Sequence, residues 1–173
     1  MKKVVNLYRM DPSNVGDLHC AALCYFDIPG FVKHFADIQD HGSITGNEPI
    51  IVGGGGILYF AHIVEKVAST SGPHVFWGAG MNQHGTMHSN YPHWLNAFSL
   101  IGVRDFGKGY RWVPCPSCMH QQFDVKREIS EEIVIFDHVQ HRVPVTGFKR
   151  IANTGQSLRW LSGCCRTPLP VVC

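Results

Sequence analysis

Two cysteines and a histidine stand close together in Cys115-Pro116-Ser117-Cys118-Met119-His120. These residue types can bind zinc or exchange disulfides. A structural zinc site takes four ligands, however, and no second Cys-x-x-Cys or His pair follows at a usable spacing. A redox Cys-x-x-Cys draws its reactivity from a helix N-terminus, and nothing in the residues that follow announces one. Cys115, Cys118 and His120 are therefore read as a tight turn with small buried thiols, or else as the ligands of a zinc-binding module.

A different chemistry is offered by Pro49-Ile50-Ile51-Val52-Gly53-Gly54-Gly55-Gly56-Ile57-Leu58. A short apolar run enters four glycines and an amphipathic helix pattern leaves them. Glycines permit a tight turn and let a ligand approach the backbone N–H groups. In a βα unit this makes an anion site at a helix N-terminus; it equally makes a turn with close helix–strand packing. Asn14-Val15-Gly16-Asp17 and Gly78-Ala79-Gly80-Met81-Asn82 follow other strand-like runs in the same way. Each is either a turn held by its own side chains or a ligand contact. Arg104-Asp105 also ends a strand, as an anion-binding fork or as a local ion pair. None of the glycine segments has the dinucleotide spacing or the Lys-Ser/Thr of a phosphate loop, which argues against dehydrogenases and kinases. There is no nucleophile elbow and no paired-carboxylate motif.

These residues need elements to position them. Lys3–Tyr8 reads as a central strand, followed by turn formers at 11–17. Phe31, Phe35 and Ile38, spaced by four and three, suggest a short helix after a turn at Ile28-Pro29-Gly30. Residues 49–52 form a strand. Ile57, Phe60, Ala61, Val64, Val67 and Ala68 then make one apolar helical stripe, stopped by Ser71-Gly72-Pro73. Further strands fall at 74–77, 98–103, 110–113 and 133–136, with a loop over 83–95. Apolar strands alternating with connections imply an α/β fold, a Rossmann-like mostly parallel sheet covered on both faces. Its turns line the carboxyl edge, where such folds bind ligands.

Composition narrows the class further. The chain has 173 residues, 45% hydrophobic and 16% charged, enough for one substantial core. A net charge of +2 is too small to argue for nucleic acid or an anionic membrane. The eleven histidines are scattered, as at His34, His41, His62, His74 and His93. No leader-like segment and no apolar run of about 20 residues is present, so a cytoplasmic location is expected. Seven cysteines, three of them at Cys164, Cys165 and Cys173, make a poor disulfide framework.

In this order the segments resemble the polysaccharide pyruvyl transferase family. The match runs through Asn14-Val15-Gly16-Asp17, Ile51–Leu58, Gly78–Asn82, Val103-Arg104-Asp105, Trp112–His120, and Asp137-His138 before Ile151-Ala152-Asn153-Thr154-Gly155. The resemblance implies the N-terminal half of a two-lobed, glycosyltransferase-B-like architecture. It also implies transfer of the enolpyruvyl group of phosphoenolpyruvate to glycan hydroxyls, forming a pyruvyl ketal, with no further cofactor. Such chemistry needs cationic groups for phosphate and carboxylate, and a general acid for the enol carbon. Ligand contacts are expected at Asn14, Gly16, Asp17, Gly53, Gly54, Gly55, Gly56, Asn82 and Arg104. His120 and His138 are the candidate acids.

The sequence departs from the family after Leu158. A lobe is expected over 1–145, the start of a connection over 146–158, and a tail over 159–173 that has left the reading frame. Arg159-Trp160-Leu161-Ser162-Gly163-Cys164-Cys165-Arg166-Thr167-Pro168 carries no helical stripe. Codons compatible with it, read one base earlier, encode Glu-Val-Val-Val-Arg-Leu-Leu-Ser-Asn-Ala, an apolar helix of the family's kind. The other readings are a non-catalytic remnant with an exposed docking face, a sugar-binding lobe of a glycosyltransferase, and the zinc module. The shifted frame is checked by sequencing the locus. The expected result is a second lobe encoded just downstream in another frame, and its absence there rules the shift out.

Overall fold

A computed structural model of the chain describes residues 1–11, 14–45, 47–81, 90–121, 124, 133–137 and 144–152. The chain divides into two compact units, one of residues 1–11 and 16–125, the other of residues 12–15 and 126–173.

The first unit is built on a six-stranded sheet in the order β2-β1-β3-β4-β5-β6. Its strands are β1 (Lys2–Tyr8), β2 (Phe31–Asp37), β3 (Ile50–Val52), β4 (His74–Ala79), β5 (Leu100–Val103) and β6 (Arg111–Trp112). Every pairing is parallel. Val4 to Tyr8 are all buried, as a strand covered on both faces requires. A parallel sheet with few helices is compatible with the Rossmann-like α/β class.

Strand alternation sorts the core into two layers. Val5, Leu7, Ile50, Val52 and Phe76 face one side, where they pack with Ile57, Ile63, Val64, Val67 and Leu95. That layer is covered by a 3₁₀ turn (Ile57–Phe60) leading into helix α2 (Ala61–Ala68), and by a second 3₁₀ turn at His93–Ala97. The helix begins later than the sequence pattern suggests, and Phe60 and Ala61 are only half-buried while Ile63 lies in the core. Val4 and Ile51 face the other side, against Ala22, Leu23, Phe26, Val75 and Trp77.

Among the described residues that second side is covered by the 3₁₀ turn Ala22–Cys24 with Phe26 and Ile28, and two polar side chains fasten the turn: Lys33 Nζ, which donates to the Leu23 carbonyl at 2.9 Å, and the buried Asn6. Asn6 is fully buried in β1. Its Nδ2 donates to the carbonyls of Gly53 at 2.9 Å and Ile51 at 3.3 Å, and its Oδ1 accepts from the Leu23 N–H at 3.0 Å. One amide therefore ties β1, the exit of β3 and the covering turn together.

The helix expected around Phe31, Phe35 and Ile38 is strand β2 instead. Spacings of four and three over eight residues do not distinguish a helix from an edge strand with one face in water. Here the deciding term is non-local: residues 31–37 pair one-to-one with all seven residues of β1, supplying the hydrogen bonds its outer side needs. Val32 and Phe35 are left exposed at this edge.

The second unit contains β7 (Val134–Asp137) paired in parallel with β8 (Lys149–Ala152). Among the described residues no helix is long and apolar enough to cross a membrane.

Replacing Asn6 by Ala leaves the Leu23 N–H and the Gly53 carbonyl buried without a partner. Each such group costs about 1–3 kcal/mol, so Asn6→Ala should lower the unfolding free energy in urea by at least that amount. A loss under about 0.5 kcal/mol, within ordinary surface-substitution scatter, would show that the amide is not a fastener.

Candidate functional site

A parallel sheet presents all its carboxyl ends at one edge. From β1 the chain goes to β2 on one side and to β3 on the other, so the strand order reverses beside β1. Ligands of open α/β sheets bind at such a switch point. The segments singled out in the sequence leave the strands there: Gly16-Asp17 after β1, Gly53–Gly56 after β3, Gly80-Met81 after β4, Arg104-Asp105 after β5 and Pro114–His120 after β6.

The glycine run is tightly committed. The Gly53 N–H donates to the Leu7 carbonyl at 3.0 Å, and the Gly54 N–H to the Cys20 carbonyl at 2.8 Å. Gly55 bridges to Ala79, and its carbonyl accepts from the Gly80 N–H at 3.0 Å. A Cβ on Gly53 would lie 2.3 Å from the Trp77 carbonyl oxygen. One on Gly54 would lie 2.8 Å from Pro116 Cδ and 3.0 Å from Cys115 Sγ. Contact with the β4 backbone and with the Cys115 and Pro116 side chains is what demands glycine at these two positions; the Gly53–Gly54 peptide is cis. The run leads into the 3₁₀ turn at Ile57, not directly into α2, so the helix N-terminus expected behind the glycines is displaced to Ala61.

The outer half of the run faces a group of reactive side chains. A Cβ on Gly55 would sit 3.5 Å from Asp17 Oδ1 and 3.6 Å from Cys20 Sγ. Helix α1 (Val15–Leu18) supplies Asp17, and Cys20 Sγ donates to the Asp17 carbonyl at 2.9 Å. Burial, with Cys115 and Asp17 nearby, pushes the Cys20 thiol up to about 12. His19 and His120 meet edge to face, with ring centroids 4.7 Å apart. Burial and then the neighbouring His120 lower the pKa of His19. The Tyr25 hydroxyl donates to the His19 carbonyl at 2.9 Å and is itself pushed up to about 12, chiefly by burial.

At β5, Asp105 Oδ2 accepts from the Met81 N–H at 2.9 Å and from the Tyr91 hydroxyl at 2.6 Å. Burial and this bond raise the Tyr91 pKa strongly. Arg104 donates to the Met81 carbonyl at 3.3 Å, and its Nε lies 3.8 Å from Asp105 Oδ1. Asp105 is thus a brace for the β4 exit.

Of the residues expected from sequence, Asp17, Gly55 and Arg104 lie at this edge of the first unit, with Gly16 exposed beside them. His120 joins His19. Asn14 is exposed and falls in the 12–15 segment of the second unit. Asn82 and His138 lie outside the described residues. Cys115 and Cys118 close one turn, and among the described residues no group of three or more His, Cys, Asp or Glu is arranged to hold a metal ion. Asn6, His19, Cys20 and Tyr91 emerge only from the structure, which also adds to Asp105, read from sequence as a local partner of Arg104, its bonds to Met81 and Tyr91. Asn6 had left one signal, a lone amide inside Val4-Val5-Asn6-Leu7-Tyr8.

Comparison with protein-family models, with curated proteins and with solved structures finds no match to this chain.

His19 and the buried His74, which shares a hydrogen bond with Thr70 Oγ1 at 2.5 Å, are both lowered below 6.5 by burial. In each case the unfolded chain takes up the proton first on acidification. Stability is therefore fully present above about pH 6.5 and falls as the pH drops through that value toward the folded pKa. Urea midpoints should decline between about pH 7.5 and 5.5, less steeply in His19→Gln. A midpoint that rises on acidification contradicts the assignment.

Proposed function

We propose that the chain is a ligand-binding lobe of a polysaccharide pyruvyl transferase-like protein. On this reading it holds phosphoenolpyruvate and a glycan hydroxyl at the carboxyl edge of its sheet, as half of a two-lobed, glycosyltransferase-B-like enzyme working in the cytoplasm. The observation that carries the reading is that Asp17, Gly55, Arg104 and His120 all follow strand exits at one edge of the sheet, with Asp17 and Gly55 beside the switch point next to β1.

The roles follow from chemistry. Phosphoenolpyruvate presents a phosphate and a carboxylate, both matched by a guanidinium fork, which assigns the anion to Arg104. Asp17 is an acceptor for a sugar hydroxyl. Protonation of the enol carbon requires an acid, and His120 is the described candidate for it.

An exposed aromatic pair on the same edge supports the glycan half of the reading. Phe106 is 85% exposed and Trp112 52% exposed, with centroids 6.5 Å apart and rings nearly perpendicular. The Trp112 Nε1–H donates to the Arg104 carbonyl at 3.0 Å, which holds the indole in place. Rings so presented offer apolar faces to the C–H side of a sugar while hydroxyls reach the polar rim.

Calorimetric titration with phosphoenolpyruvate and a glycan panel tests both halves. Arg104→Ala should weaken phosphoenolpyruvate binding about tenfold or more, the effect of one charge-assisted contact. Trp112→Ala should weaken the glycan and leave phosphoenolpyruvate unchanged. Undetectable phosphoenolpyruvate binding, both in this chain and in a version restored to the alternative frame, refutes the transferase reading. Glycan binding alone would leave a sugar-binding lobe.

A further inference from the structure

The Cys-Pro-Ser-Cys turn after β6 has no part in the proposed transfer, yet its geometry is specific. The Cys118 N–H donates to the Cys115 carbonyl at 3.0 Å, closing a turn over the four residues. Such a closure holds the first and fourth Cα atoms within about 7 Å, overlapping the roughly 4.4–6.8 Å that a disulfide spans. Pro116 to Met119 is a 3₁₀ helix with Cys115 as its N-cap and Pro116 in its first turn. Cys115, at φ −57° and ψ 136°, precedes that helix at its first end, and the turn sets it next to Cys118.

The two sulfurs are unequal. Cys118 is exposed, whereas Cys115 is half-buried, packed against Tyr8, Cys20 and Ala21, and accepts a hydrogen bond from the Ser117 hydroxyl at 3.3 Å. Buried Pro116 pins the turn between them. The other described thiols are poorly suited to exchange. Cys20 is buried and raised to about 12, and the Cys24 thiol is also raised by burial. Exchange proceeds through thiolates, so these two are held back.

We infer that Cys115 and Cys118 form a reversible disulfide-exchange site for low-molecular-weight disulfides, with Cys118 the attacking thiol and Cys115 the resolving one. The Cys118 thiolate, its proton released to solvent, attacks one sulfur of glutathione disulfide. The S–S bond breaks, one glutathione thiolate leaves and a mixed disulfide remains on Cys118. Cys115 then loses its proton to solvent and attacks Cys118 Sγ, expelling the second glutathione thiolate. Two protein thiols are oxidised and one glutathione disulfide is reduced to two thiols; excess glutathione reverses both steps. Because Cys115 sits against Gly54 and Gly78, closure of the ring acts on the turns that shape the strand exits.

The test uses the full chain equilibrated with glutathione redox buffers, quenched with acid, alkylated and digested with trypsin. Residues 112–126 form one tryptic peptide that holds only these two cysteines. The expected result is an internal disulfide in that peptide before any adduct forms at Cys24. Cys115→Ser should arrest at a persistent mixed disulfide on Cys118, and Cys118→Ser should slow reaction at residue 115 about tenfold or more, as access falls. The exposed position of Cys118 keeps the second variant folded, and wild-type mapping needs no variant at all. A stable glutathione adduct on wild-type Cys118, a Cys20–Cys115 link, or both thiols reduced while Cys24 is modified would each overturn the assignment.

Discussion

A single buried carboxamide sets the terms for the rest of the first unit. The side of the sheet facing Val4, Ile51 and Trp77 is covered by a 3₁₀ turn too short to bury much apolar surface. Dispersion and hydrophobic burial alone would leave that turn weakly attached. Asn6 replaces part of what a full helix would contribute by satisfying one N–H of the turn and one carbonyl at the β3 exit. With these contacts made to backbone, the amide fixes positions without depending on any neighbouring rotamer. The Gly53 carbonyl that it holds opens the glycine run, so the shape of the sheet's carboxyl edge is inherited from the core beneath it.

The edge itself divides into an inner and an outer part. Inside, Gly53, Gly54, Gly78 and the Pro114–Pro116 segment are in close contact, and the Gly53 and Gly54 donors are spent on the Leu7 and Cys20 carbonyls. Outside, Asp17, His19, His120 and Arg104 place polar side chains beside that packed base. Preorganisation of this kind is what a site needs when orientation and electrostatics do most of the work. The thiols lie on the boundary, with Cys20 within and Cys118 without.

How much of this was legible in the sequence depended on whether the deciding interaction was local. The interior strands β1, β3 and β4 announced themselves as apolar runs because both of their faces are buried, and β5 did so although Leu100 at its start is exposed. Strand β2 did not, since its identity rests on the ladder with β1 and its exposed Phe35 mimics helical spacing. The glycines were legible as a turn, but the fate of their N–H groups rested on carbonyls of Leu7 and Cys20 supplied from elsewhere in the chain. The His19–His120 contact and the brace from Asp105 to Tyr91 and Met81 are likewise long-range, and no spacing rule encodes them. The start of the main helix was misplaced because Ile57–Phe60 continues the apolar pattern while adopting the tighter 3₁₀ winding.

The glycine seam has one further consequence, for how this surface can change over time. At Gly53, Gly78 and Gly102 even a methyl group would come within 2.3 to 2.6 Å of Trp77, Pro114 or Val113 atoms. Gradual substitution is therefore closed along the seam, and spacing between strand exits is transmitted unchanged to any descendant that still folds. Novelty is confined to the outward positions that the seam carries. Divergent copies of this unit would keep a constant floor and trade the residues at 17, 19, 104 and 120, altering the side chains presented at the edge without altering where they are presented.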